Sequence, residues 1–259
     1  MRLHRIAGLL LKYWYISLNT VERFFDVFYW PVIGIVVFGF TTAYINDISN
    51  FPDIFIFLLG GMMLWILMER VQQDIAVYIL EDFWSGNIAN SFITPITESE
   101  IFVSVAIIGL IRAVVSFAIV FVIALVAYQF NIFTGGLSST VFLIPLVIFG
   151  WSLGLLVAGL IFRYGMRVQI FAWGISYLLQ PTSAVYYPIE TLPLVLQKIA
   201  QATPLMYVFE GYRLAYAGTF SLGHFLWALG LSVFYFLVCY GVFYLSIKTA
   251  RKKGLIAKH

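Results

Sequence analysis

Long stretches without a charged residue are the feature that most constrains this chain. No Asp, Glu, Lys or Arg occurs in the fifty residues between Arg112 and Arg163, nor in the twenty between Asp26 and Asp47. A membrane-spanning helix needs about 20 predominantly apolar residues. Only 10% of the residues are charged and 62% are hydrophobic, whereas soluble domains carry about 25% charged residues. The sequence therefore predicts an integral membrane protein.

This composition excludes several classes of function. Soluble enzymes and nucleic-acid binders are excluded, the latter because they need basic patches to neutralise phosphates. The single cysteine, Cys239, excludes an internal disulfide and a four-cysteine metal site. The chain has no G-x-x-x-x-G-K-[ST] phosphate loop, so it lacks an ATPase site of its own. We therefore predict no catalytic residue, no bound cofactor and no metal in this chain.

The charge pattern predicts one all-α transmembrane domain with six spans. The polar, glycine-containing segment 131–140 divides the longest charge-free stretch into two spans. The predicted elements are an amphipathic interfacial helix at 3–26, span 1 at 27–46, span 2 at 54–80, a short amphipathic helix at 82–93, span 3 at 100–130, span 4 at 140–162, span 5 at 167–180, a broken re-entrant link at 181–221, span 6 at 222–247 and a basic tail at 248–259.

Lys and Arg residues predict the orientation, because they are in excess on the cytoplasmic side of membrane proteins. With the amino terminus inside, 12 of the 15 fall on the cytoplasmic side of the predicted spans. Lys198 and Arg213 are left outside, and Arg112 lies within a span. We therefore expect a multi-pass plasma-membrane protein with both termini in the cytoplasm.

Two linking segments carry the functional signal. In the first, between spans 2 and 3, Trp84, Ile88 and Phe92 recur every four residues, which predicts one apolar stripe on a short helix. A passive interfacial helix would show the same stripe, so that alternative stays open. The second link, 181–221, contains four of the eight prolines. It is too apolar for a solvated loop and too broken for a span, which favours short helices re-entering the outer leaflet.

In both links the chain resembles the permease subunits of type 2 ABC exporters, and the resemblance covers nearly its full length. The first link of that family has an acidic residue, a short turn with Gly, and a Thr-Pro or Ser-Pro before span 3. Its outer link has a Pro, a Leu-Pro, a Pro-Leu and a terminal Arg. The matching residues here are Asp82, Ser85, Gly86, Thr94, Pro95 and Glu100 in the first link, and Pro188, Leu192, Pro193, Pro204, Leu205 and Arg213 in the second.

The resemblance implies a permease that works as a homodimer on two ATP-binding subunits, which hold the ATP and Mg. It implies an amphipathic or lipid-linked substrate, such as a glycan, a glycolipid or a lipophilic compound. Membrane lipid is a further expected partner, and nucleic acid is not.

The coupling segment would comprise Asp82, Trp84, Ser85, Gly86, Ile88, Phe92, Thr94 and Pro95. The outer gate would comprise Tyr186, Tyr187, Pro188, Pro193, Pro204 and Arg213. Two alternatives remain open: a membrane-embedded transferase acting on lipid-linked substrates, and an ATP-independent channel or scramblase.

An intramembrane polar pair is the last prediction from the sequence. Glu69 lies 12 residues before Glu81, and Arg112 lies 12 residues after Glu100. At 1.5 Å per residue, both would lie roughly 18 Å along antiparallel helices from the first link. Because an unpaired charge at that depth is costly, we expect Glu69 and Arg112 to face each other or a shared polar cavity. Arg70 and Asp74 are alternative partners, and the pair could be a static tie or part of a transport cycle.

Overall fold

The computed structural model describes residues 2–49, 54–87 and 96–253. The fold is 86% helical, and no strand occurs in the described ranges. Within these ranges, four helices are long and apolar enough to cross a membrane: Val21–Ile48, Glu98–Tyr128, Gly136–Val168 and Leu222–Lys252. The all-α class is therefore confirmed and is consistent with a membrane protein, whereas the predicted count of six spans is not established.

The described helices, in chain order, are α1 (Leu3–Asn19), α2 (Val21–Ser49), α3 (Gly61–Trp84), α4 (Glu98–Tyr128), α5 (Gly136–Thr140), α6 (Leu143–Tyr164), α7 (Phe171–Leu179), α8 (Leu194–Gln201), α9 (Pro204–Tyr216) and α10 (Leu222–Lys253). A π-helical turn, Ile56–Gly60, leads into α3. Shorter 3-10 turns cover Gly165–Val168, Gln180–Thr182 and Ile189–Thr191. We call the end of the bundle that holds Trp84 and Glu98 the link end, and the end that holds Tyr128 the far end.

Helix α3 occupies the centre of the bundle, with α4 and α6 packed along it and α10 packed on α6. From Met63 to Phe83 every residue of α3 is buried except Glu69 and Glu81. Glycines on α6 permit this close approach. A Cβ atom at Gly154 would lie 2.8 Å from the Cβ of Ile75, and one at Gly150 would lie 2.9 Å from the carbonyl oxygen of Met68. Small residues at this spacing allow two helix backbones to approach closely.

The amino-terminal helix is shorter than the predicted 3–26. Thr20 has an extended backbone (φ −95°, ψ 110°), which ends α1 at Asn19. Residues 21–26 therefore belong to the first membrane helix, α2, in which Arg23 and Asp26 have partners inside the bundle. The outward face of α1 is apolar, with Leu11, Trp14 and Leu18 exposed. That face suits a helix lying at a lipid surface.

The predicted fifth span and outer link form a series of short elements. Helix α7 has nine residues, or about 13 Å at 1.5 Å per residue, which is less than half of a hydrocarbon core about 30 Å thick. At the far end, α8 and α9 agree with the expected broken helical link. Helix α10 continues to Lys253, so the first part of the predicted basic tail is helical, and 254–259 lie outside the described residues.

The coupling segment differs from the predicted separate helix at 82–93. Asp82 and Trp84 lie in the last turn of α3, which continues past the predicted end of span 2 at residue 80. Ser85 and Gly86 follow in a turn, and Gly86 has φ +67°, a conformation that favours glycine. Ile88, Phe92, Thr94 and Pro95 lie outside the described residues, so the apolar stripe stays a prediction.

Candidate functional site

A cleft runs along one side of α3, bounded by α2 and α7. It consists of two cavities of about 380 and 350 Å³ that share Asp26, Trp30, Gln73 and Trp173. The α3 side chains that line it recur every three or four residues: Met62, Ile66, Glu69, Arg70, Gln73, Val77, Glu81 and Trp84. This stripe extends about 33 Å at 1.5 Å per residue, which matches the roughly 30 Å hydrocarbon core of a bilayer.

The walls of the cleft are largely aromatic. Trp30 comes from α2, while Trp173 and Tyr177 come from one face of α7. At the link end, Trp84 stacks on Trp173, with ring centroids 6.3 Å apart and planes 13° apart. The indole N–H of Trp84 also donates to the Gln169 side-chain oxygen at 3.2 Å. These contacts join the last turn of α3 to the segment that leads into α7.

A buried charge network lies beside the cleft, where α2, α3 and α4 meet. Arg112 Nε donates to Asp74 Oδ2 at 3.2 Å, and Arg112 Nη2 lies 3.6 Å from Asp26 Oδ2. Asp26 also accepts from Arg70 Nη1 at 2.5 Å. Asp74 is only 1% exposed, so these arginines compensate a carboxylate that water does not reach.

Arg23 completes the network toward the link end. Its guanidinium bonds Glu81, and its Nη1 lies 3.8 Å from Asp74 Oδ1. The network contains six charged side chains, three of each sign: Arg23, Arg70, Arg112, Asp26, Asp74 and Glu81. Their charges sum to zero, as a cluster shielded from water requires.

Arg112 does not pair directly with Glu69. It pairs with Asp74, one of the two alternative partners, and with Asp26. Glu69 instead accepts from Gln73 Nε2 at 2.9 Å. Side chains lean toward the amino terminus of their own helix, so residues at equal heights on antiparallel helices lean apart. A Cβ atom at Gly109 of α4 would lie 3.0 Å from the Asp74 Cβ. The α3 partner of Arg112 therefore lies nearer the link end than Glu69 does.

The first link is held at both of its described ends. Before it, Asp82 accepts from Lys12 Nζ of α1 at 2.5 Å. Burial, followed by the nearby Asp82 carboxylate, raises the pKa of Tyr13 on α1. After it, Glu100 closes a capping box with Thr97 at the start of α4 and accepts from the Arg2 backbone N–H at 2.8 Å. Movement of the link would therefore act on α1, α3 and α4 together.

Helix α10 contacts the end of the link that leads into α4. Arg251 Nη1 of α10 lies 3.0 Å from Glu98 Oε1. Arg251 Nη2 donates to the Ile96 carbonyl at 3.1 Å. Both contacts fall at the residues where the described chain resumes after the link, so α10 and α1 hold the start of α4 from two sides.

The predicted gate residues come together at the far end. Arg213 Nη2 donates to the Ala184 and Val185 carbonyls at 2.7 and 2.6 Å, and its guanidinium lies 4.1 Å from the Phe57 ring centroid. Tyr186 stacks on Phe38 of α2 with centroids 4.9 Å apart. These contacts hold the segment after α7 against α2, the turn that leads into α3, and the last turn of α9.

The remaining gate residues stand at turns and helix starts. Tyr187 donates from its hydroxyl to the Pro181 carbonyl at 2.5 Å. Pro188 and Pro193 directly precede the Ile189–Thr191 turn and α8, and Pro204 is the first residue of α9. Proline suits the first helical turn because its missing N–H would be unsatisfied there. Gating by these residues stays a prediction.

One ionisable contact ties α9 to α10 at the same end. Glu210 Oε2 lies 3.8 Å from His224 Nε2, and Glu210 Oε1 accepts from the Ile189 backbone N–H at 3.4 Å. Burial raises the pKa of Glu210 above its ordinary value. No group of three His, Cys, Asp or Glu side chains that could hold a metal occurs in 2–49, 54–87 or 96–253.

No protein-family model matches this chain, and no curated protein matches it. The cleft itself is not evident from the sequence, because it depends on where α7 packs. A partial signal is present in Asp26 and Trp30, which are one helical turn apart, and in the run of polar residues at 69–74, of which only Val71 is apolar. Polar and ionisable groups within a membrane segment commonly mark functional sites.

Proposed function

We propose that this chain is the permease subunit of an ATP-driven exporter, similar to those of type 2 ABC exporters. It would act in the plasma membrane as a homodimer with two separate ATP-binding subunits, both termini being cytoplasmic. The observation that carries the proposal is the cleft, which is about as long as a bilayer core is thick and has polar groups along α3. A passage for amphipathic molecules needs such a wall, since lipid-facing surfaces are apolar.

The homodimer is supported by the shape of the cleft. One copy supplies α2, α3 and α7 as a wall, and the opposite side is open. A second copy facing it across a two-fold axis would turn two open clefts into one enclosed passage, as a self-complementary interface allows. Exposed apolar residues of α2 outside the cleft lining, among them Phe24, Val37 and Phe40, would pack in such an interface.

Coupling to a partner is supported by the contacts at the link end. Because α3 runs as one helix to Trp84 and α4 begins at a capped turn, a displacement of the link by a bound partner would tilt both helices. The salt bridges that join α1 to α3 and α10 to α4 would transmit this displacement to α1 and α10. Small shifts at a bound partner are amplified in this way when packed helices move as rigid bodies.

The test is purification of the tagged full chain from its native membrane, followed by identification of its partners and measurement of ATP hydrolysis. We expect an ATP-binding subunit to copurify. Alanine at Trp84, Ile88 and Phe92 together should release that subunit or uncouple its ATPase activity, while Trp227→Ala on the exposed face of α10 should not.

Retention of a fully coupled complex by the triple variant would contradict the assignment of the link. Absence of any ATP-binding partner, combined with lipid movement by the chain alone in vesicles, would favour the scramblase alternative. Chemical turnover of a lipid-linked donor by the purified chain would favour the transferase.

A further inference from the structure

Glu69 is a partly buried carboxylate in the cleft that forms no salt bridge within the described ranges. Its hydrogen-bond donors are two neutral groups, the Gln73 amide at 2.9 Å and the Tyr177 hydroxyl. The neighbouring Arg70 directs its Nη1 to Asp26 at 2.5 Å. Burial disfavours an ionised carboxylate, whereas an opposite charge within about 4–6 Å stabilises it, so a cation bound next to Glu69 would stabilise its ionised form.

The net charge of the whole cleft also favours a cation. Four carboxylates line it (Glu22, Asp26, Glu69 and Glu81) against two guanidiniums (Arg23 and Arg70). The buried Asp74 and Arg112 beside it cancel each other. The cleft therefore has a formal charge of −2, although the chain as a whole carries +3. A neutral sugar would leave that charge uncompensated, and an anion would be repelled.

Three partly exposed aromatic side chains line the cavity around Glu69, and one of them, Trp173, also stacks on Trp84. Trp30 is 62% exposed, Tyr177 56% and Trp173 39%, and all three line the same cavity as Glu69. Aromatic faces attract cations through the ring quadrupole, most strongly where water is partly excluded. A carboxylate among aromatic rings therefore favours an organic cation over a small, strongly hydrated metal ion.

The cleft changes character toward the far end. Beyond Glu69, its lining consists of Ile66 and Met62 of α3, with Ile33 and Gly34 of α2 opposite. Met62 lies about 10 Å from Glu69 along the helix at 1.5 Å per residue. The lining thus offers a charged, aromatic subsite followed by an apolar subsite of roughly the length of a short alkyl chain.

We infer that this cleft binds amphipathic organic cations, with the cationic head on Glu69 between Trp30, Trp173 and Tyr177 and the apolar part on Met62 and Ile66. The inference deepens the proposed function by naming a substrate class for the same cleft, and it rests on that function only in so far as binding serves transport. The site itself depends on the cleft of this chain alone.

The test is a direct binding measurement on the full chain in zwitterionic lipid nanodiscs, without an ATP-binding subunit. The probe is tetraphenylphosphonium, and its matched control is tetraphenylborate, which has nearly the same size and shape and the opposite charge. We expect saturable tetraphenylphosphonium binding, much weaker tetraphenylborate binding, and no maltose binding. Glu69→Gln should weaken tetraphenylphosphonium binding at least about 10-fold, because it removes one close charge pair.

Two further variants keep the test decisive. Trp30→Leu should weaken binding roughly three-fold or more through the lost cation–aromatic contact, and Glu190→Gln, at an exposed site outside the cleft, should change nothing. Thermal unfolding of each variant checks that the fold is retained.

Equal binding by wild type and Glu69→Gln, equal affinity for the two tetraphenyl ions, or absence of tetraphenylphosphonium binding would each overturn the inference. None of these results bears on partner copurification, which tests the proposed function separately.

Discussion

Replacing Arg112 with methionine should destabilise the protein more than any surface charge substitution. The change keeps most of the side-chain volume but removes the Nε donor to Asp74 and the Nη2 donor to the Arg23 carbonyl, both at 3.2 Å. Asp74 is then left with Arg23 at 3.8 Å, which Glu81 also engages. The network changes from neutral to a formal charge of −1, and its innermost carboxylate, Asp74, is only 1% exposed.

The expected loss of stability follows from the burial of both partners, since Arg112 is 5% and Asp74 1% exposed. Removing one member of a buried ion pair costs about 3–5 kcal/mol, whereas replacing both by apolar residues is often nearly neutral. For a chain of this length each kcal/mol moves the Tm by roughly 2–4 °C. Arg112→Met should therefore lower the Tm by roughly 6–20 °C. Adding Asp74→Leu should recover at least about half of that loss.

The measurement is thermal unfolding in detergent, followed by tryptophan fluorescence and by loss of the monodisperse peak in size-exclusion chromatography. Arg163→Met is the matched control, because Arg163 is exposed at the end of α6 and surface charges contribute at most about 1 kcal/mol. The reasoning would be refuted if Arg112→Met were no less stable than Arg163→Met, or if the double variant lost as much stability as the two single variants together.

Three further predictions concern packing, topology and the link. Gly154→Ala should cost about 1–3 kcal/mol by forcing α6 away from α3, whereas Gly230→Ala on α10, where a Cβ atom meets open space, should be neutral; equal Tm values would contradict this. Cysteine at Lys198 in a Cys239→Ser background should react with a membrane-impermeant maleimide on intact cells, and reaction only after permeabilisation would reverse the orientation. Lys12→Met should break the contact with Asp82 and speed hydrogen exchange in α1 but not in α6, whereas unchanged exchange in α1 would show that apolar packing alone holds that helix.

The positions of the four longest apolar helices could be predicted from the sequence. Within lipid the backbone must satisfy its own hydrogen bonds, so an extended charge-free segment becomes a helix, and the stretches around 27–46, 100–130, 140–162 and 222–247 did so. Small residues four positions apart, such as Gly150 and Gly154, favour close helix packing, and α6 packs closely on α3 at both positions. These features depend on local composition and periodicity, which are properties of the chain alone.

Helix boundaries at polar residues could not be predicted in the same way. Asp26 was expected before the first span and Asp82 in a separate helix, yet α2 starts at Val21 and α3 runs to Trp84. Counting charges assumes that an ionised side chain lies outside the membrane. Here Asp26 has Arg70 and Asp82 has Lys12 as a buried or half-buried partner, so the helices continue through these residues.

The ion-pair partners and the cleft were decided by the tertiary structure. Counting from the link placed Glu69 opposite Arg112, but the opposite lean of side chains on antiparallel helices brings Arg112 to Asp74 instead. The cleft exists because α7 is short and packs against one side of α3, where Glu69 has no salt bridge to any described residue and Trp30 and Trp173 stay partly exposed. Partner choice and cavity shape depend on the relative height, rotation and spacing of helices distant in sequence, and local periodicity does not specify these quantities.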